Sequence, residues 1–185
     1  KVALLKIEAA VPMIGNAEAG DQANLLYARA LIADGQAEAA VKLLGAVSAN
    51  AGLMKEFWLA QAFAANGAFA EALEKYTNCA MAADFLFFRE AVLGRASMLR
   101  NLNRLEEAVT VLADAASWPS SPEKNQALLD LAELHIVKGN GVEAQKALVR
   151  LPVEDLKDRT KKDFLSAAAM CLLNKNESAL EILAN

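Results

Sequence analysis

Small and large apolar residues recur along this chain at helical spacing, in one phase from about residue 21 to the end. One set of alanines falls at Ala28, Ala60, Ala96, Ala132 and Ala167, and a second at Ala40, Ala72, Ala108, Ala144 and Ala179. The members of each pair lie twelve residues apart, and successive pairs are spaced 32, 36, 36 and 35 residues. Four residues after each second alanine stands a large side chain: Leu44, Tyr76, Leu112, Leu148 or Leu183. Three residues before each first alanine stands Leu25, Phe57, Leu93, Leu129 or Phe164. Gly35, Gly67, Asn103, Gly139 or Asn174 comes five residues before each second alanine.

These columns have a physical cause. Two helices cross closely only where one side is small, and a larger residue one turn away fills the groove beside the contact. Gly and Asn are the residues that take the left-handed backbone of a tight helix end. A hairpin this short cannot bury its apolar face alone, so it stacks on its neighbours. The predicted class is all-α, a solenoid of five antiparallel helical hairpins in one domain spanning 1–185, with repeats near 21–50, 52–82, 84–118, 121–151 and 155–185.

Between the columns, local signals place the elements. Residues 1–13 read as a helical lead-in ended by Pro12, and GNAEAGDQ as a loop. The first pair is expected at Gln22–Ala33 and Ala37–Val47, and the second helix of repeat three at Leu105–Ala116. Asp84 is the expected N-cap of a long helix running from Phe85 to Asn101. Ser121 is the expected N-cap of repeat four, with Pro122 in the first helical position.

Charge narrows the function. The net charge is −4 with both signs spread along the chain, which opposes a nucleic-acid surface. The densest basic run, Lys157, Arg159, Lys161 and Lys162, is interleaved with Glu154, Asp155, Asp158 and Asp163 and reads as a solvated helix face. No apolar run reaches membrane-spanning length, so a soluble protein is expected, with cytoplasm and periplasm both open. KVALLKIEAAVP reads as the tail of a preceding second helix, and ESALEILAN ends without a polar capping helix. A piece of a longer protein is therefore expected. The two cysteines, Cys79 and Cys171, lie too many helices apart for an internal disulfide and read as packing residues.

The repeat of small residue, turn Gly, alanine and large residue, carried by Ala60, Gly67, Ala72 and Tyr76 and echoed through the chain, resembles the tetratricopeptide repeat (TPR) family. The resemblance covers about Asp21 to the C-terminus and implies a right-handed superhelix whose first helices line a concave groove for peptides or helices. It places Leu25, Arg29, Phe57, Gln61, Leu93, Ser97, Arg100, Leu129, Glu133 and Phe164 along that groove. An apolar column flanked by sparse polar groups suits an amphipathic helix or apolar peptide, and the same column also reads as inter-helix packing. A carboxylate clamp of the kind some members carry is not expected: Arg29 and Arg100 are two repeats apart, and Leu25, Gln61 and Leu93 fill the other positions.

Catalytic signals are sparse. His135, the single histidine, sits in an apolar column and reads as a core residue with one hydrogen bond. Glu106 and Glu107 suit the start of a helix. Asn176-Glu177-Ser178 has the glycosylation pattern but falls in an expected turn. No zinc pattern, phosphate loop or dinucleotide fingerprint is present, so no enzyme, metal or cofactor is expected. Of Phe85, Phe87 and Phe88, one is exposed as a contact, or all pack on repeat two. The expected function is a non-catalytic protein-interaction scaffold. The alternatives are a homo-oligomerisation module, or a regulatory or assembly domain of a larger bacterial enzyme or cell-envelope machine.

Overall fold

The structure, a computed structural model, describes residues 17–152 and 156–184. Its regular elements are helices: α1 (Ala17–Ala33), α2 (Ala37–Ala46), α3 (Gly52–Ala65), α4 (Phe69–Ala80), α5 (Phe88–Asn101), α6 (Leu105–Ala115), α7 (Pro122–Val137), α8 (Gly141–Val149), α9 (Leu156–Leu172) and α10 (Asn176–Ala184), with a 3-10 turn at Ala49–Ala51. The expected lead-in over 1–13 lies outside the described residues, as does the expected start of repeat five at Asp155.

All five turn positions take the left-handed backbone. Gly35, Gly67 and Gly139 have φ of 79, 76 and 75°, and Asn103 and Asn174 have 57 and 58°. The reversed residue lets the next N–H turn back onto the helix it has left. Gln36, Ala68, Asn140 and Lys175 donate to the carbonyls of Leu31, Phe63, His135 and Met170 at 2.8–2.9 Å. This closes the helix end and satisfies carbonyls that would otherwise be orphaned.

All ten column alanines are buried, at 0–3% exposure. Small side chains at these points let the helix backbones approach, and the larger residues then close the seam. Backbone contacts divide the chain into two compact units, Lys1–Asn103 and Arg104–Asn185.

In the first unit, Ala28, Leu31, Ala40 and Leu44 pack with Leu59 and Ala62. A second cluster gathers Phe57, Ala60, Ala72, Tyr76, Cys79 and Met98. Between α4 and α5, Tyr76 sits against Gly94, where an added Cβ would stand 2.5 Å from the ring carbon Cζ. Glu56 on α3 and Lys75 on α4 pair at 3.1 Å, tying the second hairpin along its side.

Two helix starts differ from expectation. α1 is already helical at Ala17, ahead of the expected Gln22. The Ala-rich stretch before Asp21 favours helix, and Asp21 bonds outward to Ser48 instead of staying in a loop. α5 begins at Phe88, not Phe85, and Asp84 does not cap it. Turns carry Phe85 and Phe87 to one side, with their rings 5.9 Å apart. Phe57 stacks on Phe87 at 4.8 Å and meets Phe85 edge-on at 6.1 Å. In a helix, residues two apart would point to nearly opposite sides. Unwinding the turn lets two aromatic rings reach Phe57 rather than one.

In the second unit the expected cap of α7 is present. Ser121 Oγ accepts the Lys124 N–H at 3.2 Å, with Pro122 following. α7 is buried on several sides, through Ala127, Leu128, Leu131, Ala132 and Leu134. Arg150 donates to the Ala116 carbonyl at 2.7 Å, and Lys162 to that of Leu151 at 3.0 Å. Both bonds satisfy carbonyls just past helix ends, where the dipole favours a cation. At the start of α8, a Cβ on Gly141 would stand 2.8 Å from the Ala169 carbonyl oxygen, so α8 and α9 cross closely there.

Candidate functional site

The first unit carries a cleft of about 820 Å³. Leu25, Leu26 and Arg29 come from α1, Met54 and Trp58 from α3, and Phe87 from the turn before α5. Helix spacing explains the α1 wall: Gln22, Leu25, Leu26 and Arg29 fall on one face. The Arg29 guanidinium lies 5.6 Å from the centre of the Trp58 ring, a cation–π approach across the two helices.

At one edge, Asp21 accepts the Ser48 N–H at 3.1 Å and also the Ser48 hydroxyl. These bonds hold the Asp21 carboxyl below its ordinary pKa. Each of its oxygens thus accepts a bond from Ser48, whereas the Arg29 guanidinium stands over the Trp58 ring. The cleft therefore offers apolar walls and one cation.

Of the ten groove positions expected from the sequence, Leu25 and Arg29 come together in this cleft. Phe57 is 2% exposed beneath its aromatic neighbours, and Leu129 is 1% exposed in the second unit. Of the two readings open for their column, these two residues take packing: neither can meet a partner without the core opening. Gln61, Leu93 and Ser97 are half-buried in the first unit, and Arg100 is exposed. In the second unit Glu133 is half-buried, 3.9 Å from Lys161, and Phe164 is 64% exposed.

The cleft residues that the columns did not single out are Leu26, Met54, Trp58 and Phe87, with Asp21 at the rim. Trp58 directly follows Phe57. In the apolar run Phe57-Trp58-Leu59, each step turns the side chain by about 100°. The residue best suited to the half-exposed place is the tryptophan, large and rarely fully buried. That signal was available in the sequence.

Other chemistry-bearing side chains are separate from the cleft. Cys79 is buried, its thiol pushed up to about 11 by burial, and Cys171 is exposed rather than packed. His135 is half-buried and burial lowers its pKa; its Nδ1 is buried without a hydrogen-bond partner. Asn176-Glu177-Ser178 opens α10 rather than lying in a turn. Among the described residues no group of three or more His, Cys, Asp or Glu could hold a metal ion, and no helix is long and apolar enough to cross a membrane. A shallower groove of about 450 Å³ lies in the second unit, with Val142, Val149, Met170 and Leu173 on its walls.

No family model matches the chain, and no curated protein matches it. Two solved structures do. One is a Podosopora anserina protein named for kinesin light chain, with nearly identical TPR-like repeats: 21% identity over 88% of this chain and 91% of that one, at a TM-score of 0.72. The other is a point variant of it, at 22% identity with the same coverage and TM-score. With its all-helical elements, left-handed hairpin turns and buried alanine columns, the chain has a TPR-like, all-α helical-repeat fold.

Proposed function

We propose that this chain is a non-catalytic protein-interaction module that takes an amphipathic helix or apolar peptide in the cleft between α1 and α3. The observation that carries this reading is the cleft itself: an opening of about 820 Å³ walled by Leu25, Leu26, Met54 and Trp58, with Arg29 at its face. Its size and lining are those of a recognition site, mostly apolar with a few polar groups that set orientation. The polar pair at its edge is Asp21 and Ser48, whose backbone N–H and hydroxyl both donate to the Asp21 carboxylate. The TPR-like fold supports the same reading, since folds of this kind present rigid faces to protein partners.

The test is a pull-down from source-cell lysate comparing the wild type with Arg29→Glu and Trp58→Ala, after circular dichroism has established that all three fold. Partners captured by the wild type and lost by both variants place binding in the cleft. Partners retained by both move it elsewhere.

A further inference from the structure

The second helices share an outward side on which α8 differs from the rest. Two residues before the column alanine stand Glu38, Ala70, Glu106 and Glu177, and five after it Gly45, Thr77, Ala113 and Ala184. These are polar or small, as a solvent-facing side requires. In α8 both places hold valine: Val142 is 53% exposed and Val149 80%. Valine gives up side-chain freedom in a helix, a loss that only packing offsets.

The two valines share a face with Gln145 and Lys146, at helical spacing. Met170 and Leu173, from the end of α9 and the turn after it, complete a groove of about 450 Å³, and Lys175 lines it from the same turn. Gln145 donates to the Ser166 carbonyl at 2.9 Å, tying α8 to α9 beside the groove. The lining includes two lysines and no carboxylate, in a chain of net charge −4. Glu143 reaches Lys146 at 2.7 Å in an exposed pair on α8. Such a pair is weak, and another carboxylate can take its place.

We propose that this groove in the second unit is a further protein-binding site, whose occupant is an acidic amphipathic helix. The apolar stripe of that helix lies on Val142, Val149, Met170 and Leu173, and its carboxylates meet Lys146 and Lys175. The valines and the adaptable Met170 thioether supply contact area, and the lysines set orientation. The same charge repels a basic segment.

The experiment pans a displayed library of random peptides against the whole chain carrying Trp58→Ala, so that the α1–α3 cleft is disabled and its reading stands or falls separately. Arg29→Glu serves instead if Trp58→Ala fails to fold. Recovered peptides, measured by fluorescence anisotropy, should join an apolar stripe to carboxylates and bind more weakly as salt rises. Val149→Asp and Lys175→Glu should each weaken them by about tenfold. Lysine in place of the peptide's carboxylates should recover affinity for Lys175→Glu. Val142→Ala and Val149→Ala should weaken binding without lowering the melting temperature, which a structural role would not allow. Recovery of no peptide, or only of basic or uncharged ones, would overturn the proposal. So would acidic peptides that bind Val149→Asp and Lys175→Glu undiminished. A mass that doubles in solution and falls back with Val149→Asp would also overturn it, making the groove an interface between copies.

Discussion

Tyr76 and Gly94 fit as ring and gap: the tyrosine is 3% exposed, and the glycine's missing Cβ is the space its ring occupies. Gly94→Ala sets two effects against each other. Alanine favours an exposed helix interior by about 1 kcal/mol, whereas overpacking a closed seam costs ~1–3 kcal/mol. The ring is hemmed in by Phe57, 6.1 Å away, so the clash wins. Urea denaturation should show a net loss, and Tyr76→Leu in the same chain should recover part of it. A neutral Gly94→Ala would mean that the ring swings aside.

Phe57 and Trp58 are neighbours with opposite roles. Phe57→Ala empties the centre of the aromatic cluster and should cost about 3–5 kcal/mol. Trp58→Ala removes a half-buried wall of the cleft and should cost less, leaving a folded protein. Paired denaturation curves check the order. A larger loss at Trp58 would show that the cleft wall is part of the core.

Ala72 is wholly buried where α4 crosses its neighbours. Ala72→Leu should destabilise by ~1–3 kcal/mol through overpacking. An unchanged melting temperature would contradict the closeness of that crossing.

Asn103 and Asn174 hold positive φ with a side chain attached. Left-handed backbone costs an ordinary residue about 1–2 kcal/mol and asparagine less. Asn103→Gly and Asn174→Gly should therefore be neutral or stabilise by some tenths of a kcal/mol, offset by the freer unfolded chain. Gly67→Ala should go the other way. Thermal melts of the three variants should separate in sign.

Burial lowers the His135 pKa, so the unfolded chain takes up the proton first as pH falls. The stability tied to neutral His135 is complete above the ordinary histidine value of about 6.5 and falls as pH drops through it toward the folded value. His135→Gln should flatten that part of the stability–pH curve. As the chain has one histidine, its imidazole resonances can be titrated without overlap. A folded pKa at or above the ordinary value would rule this out.

The architecture was legible because its cause is local and repeated. Ala60 and Ala72 are small where helices cross, and Gly67 or Asn174 can reverse the backbone; such requirements leave marks at fixed spacing. The cleft was legible only in part. Leu25 and Arg29 follow from their place in the repeat, but the column that names Leu25 also names Phe57. Which of Phe57 and Trp58 faces inward depends on Phe85 and Phe87, whose positions depend on a turn of helix that does not form. Asp84 has the chemistry of a cap, yet gathering two rings around Phe57 outweighs it. Non-local packing of this kind leaves no periodic trace.

Each compact unit contains one of the chain's two tryptophans, Trp58 in the first and Trp118 in the second. Excited at the red edge, where tyrosine does not absorb, the molecule thus carries one indole fluorophore per unit. Trp118→Phe leaves emission from the first unit alone, and Trp58→Phe leaves that from the second. Because Arg29 lies against the Trp58 indole, whatever displaces that guanidinium should change the quantum yield, and the cleft can be watched without any attached dye.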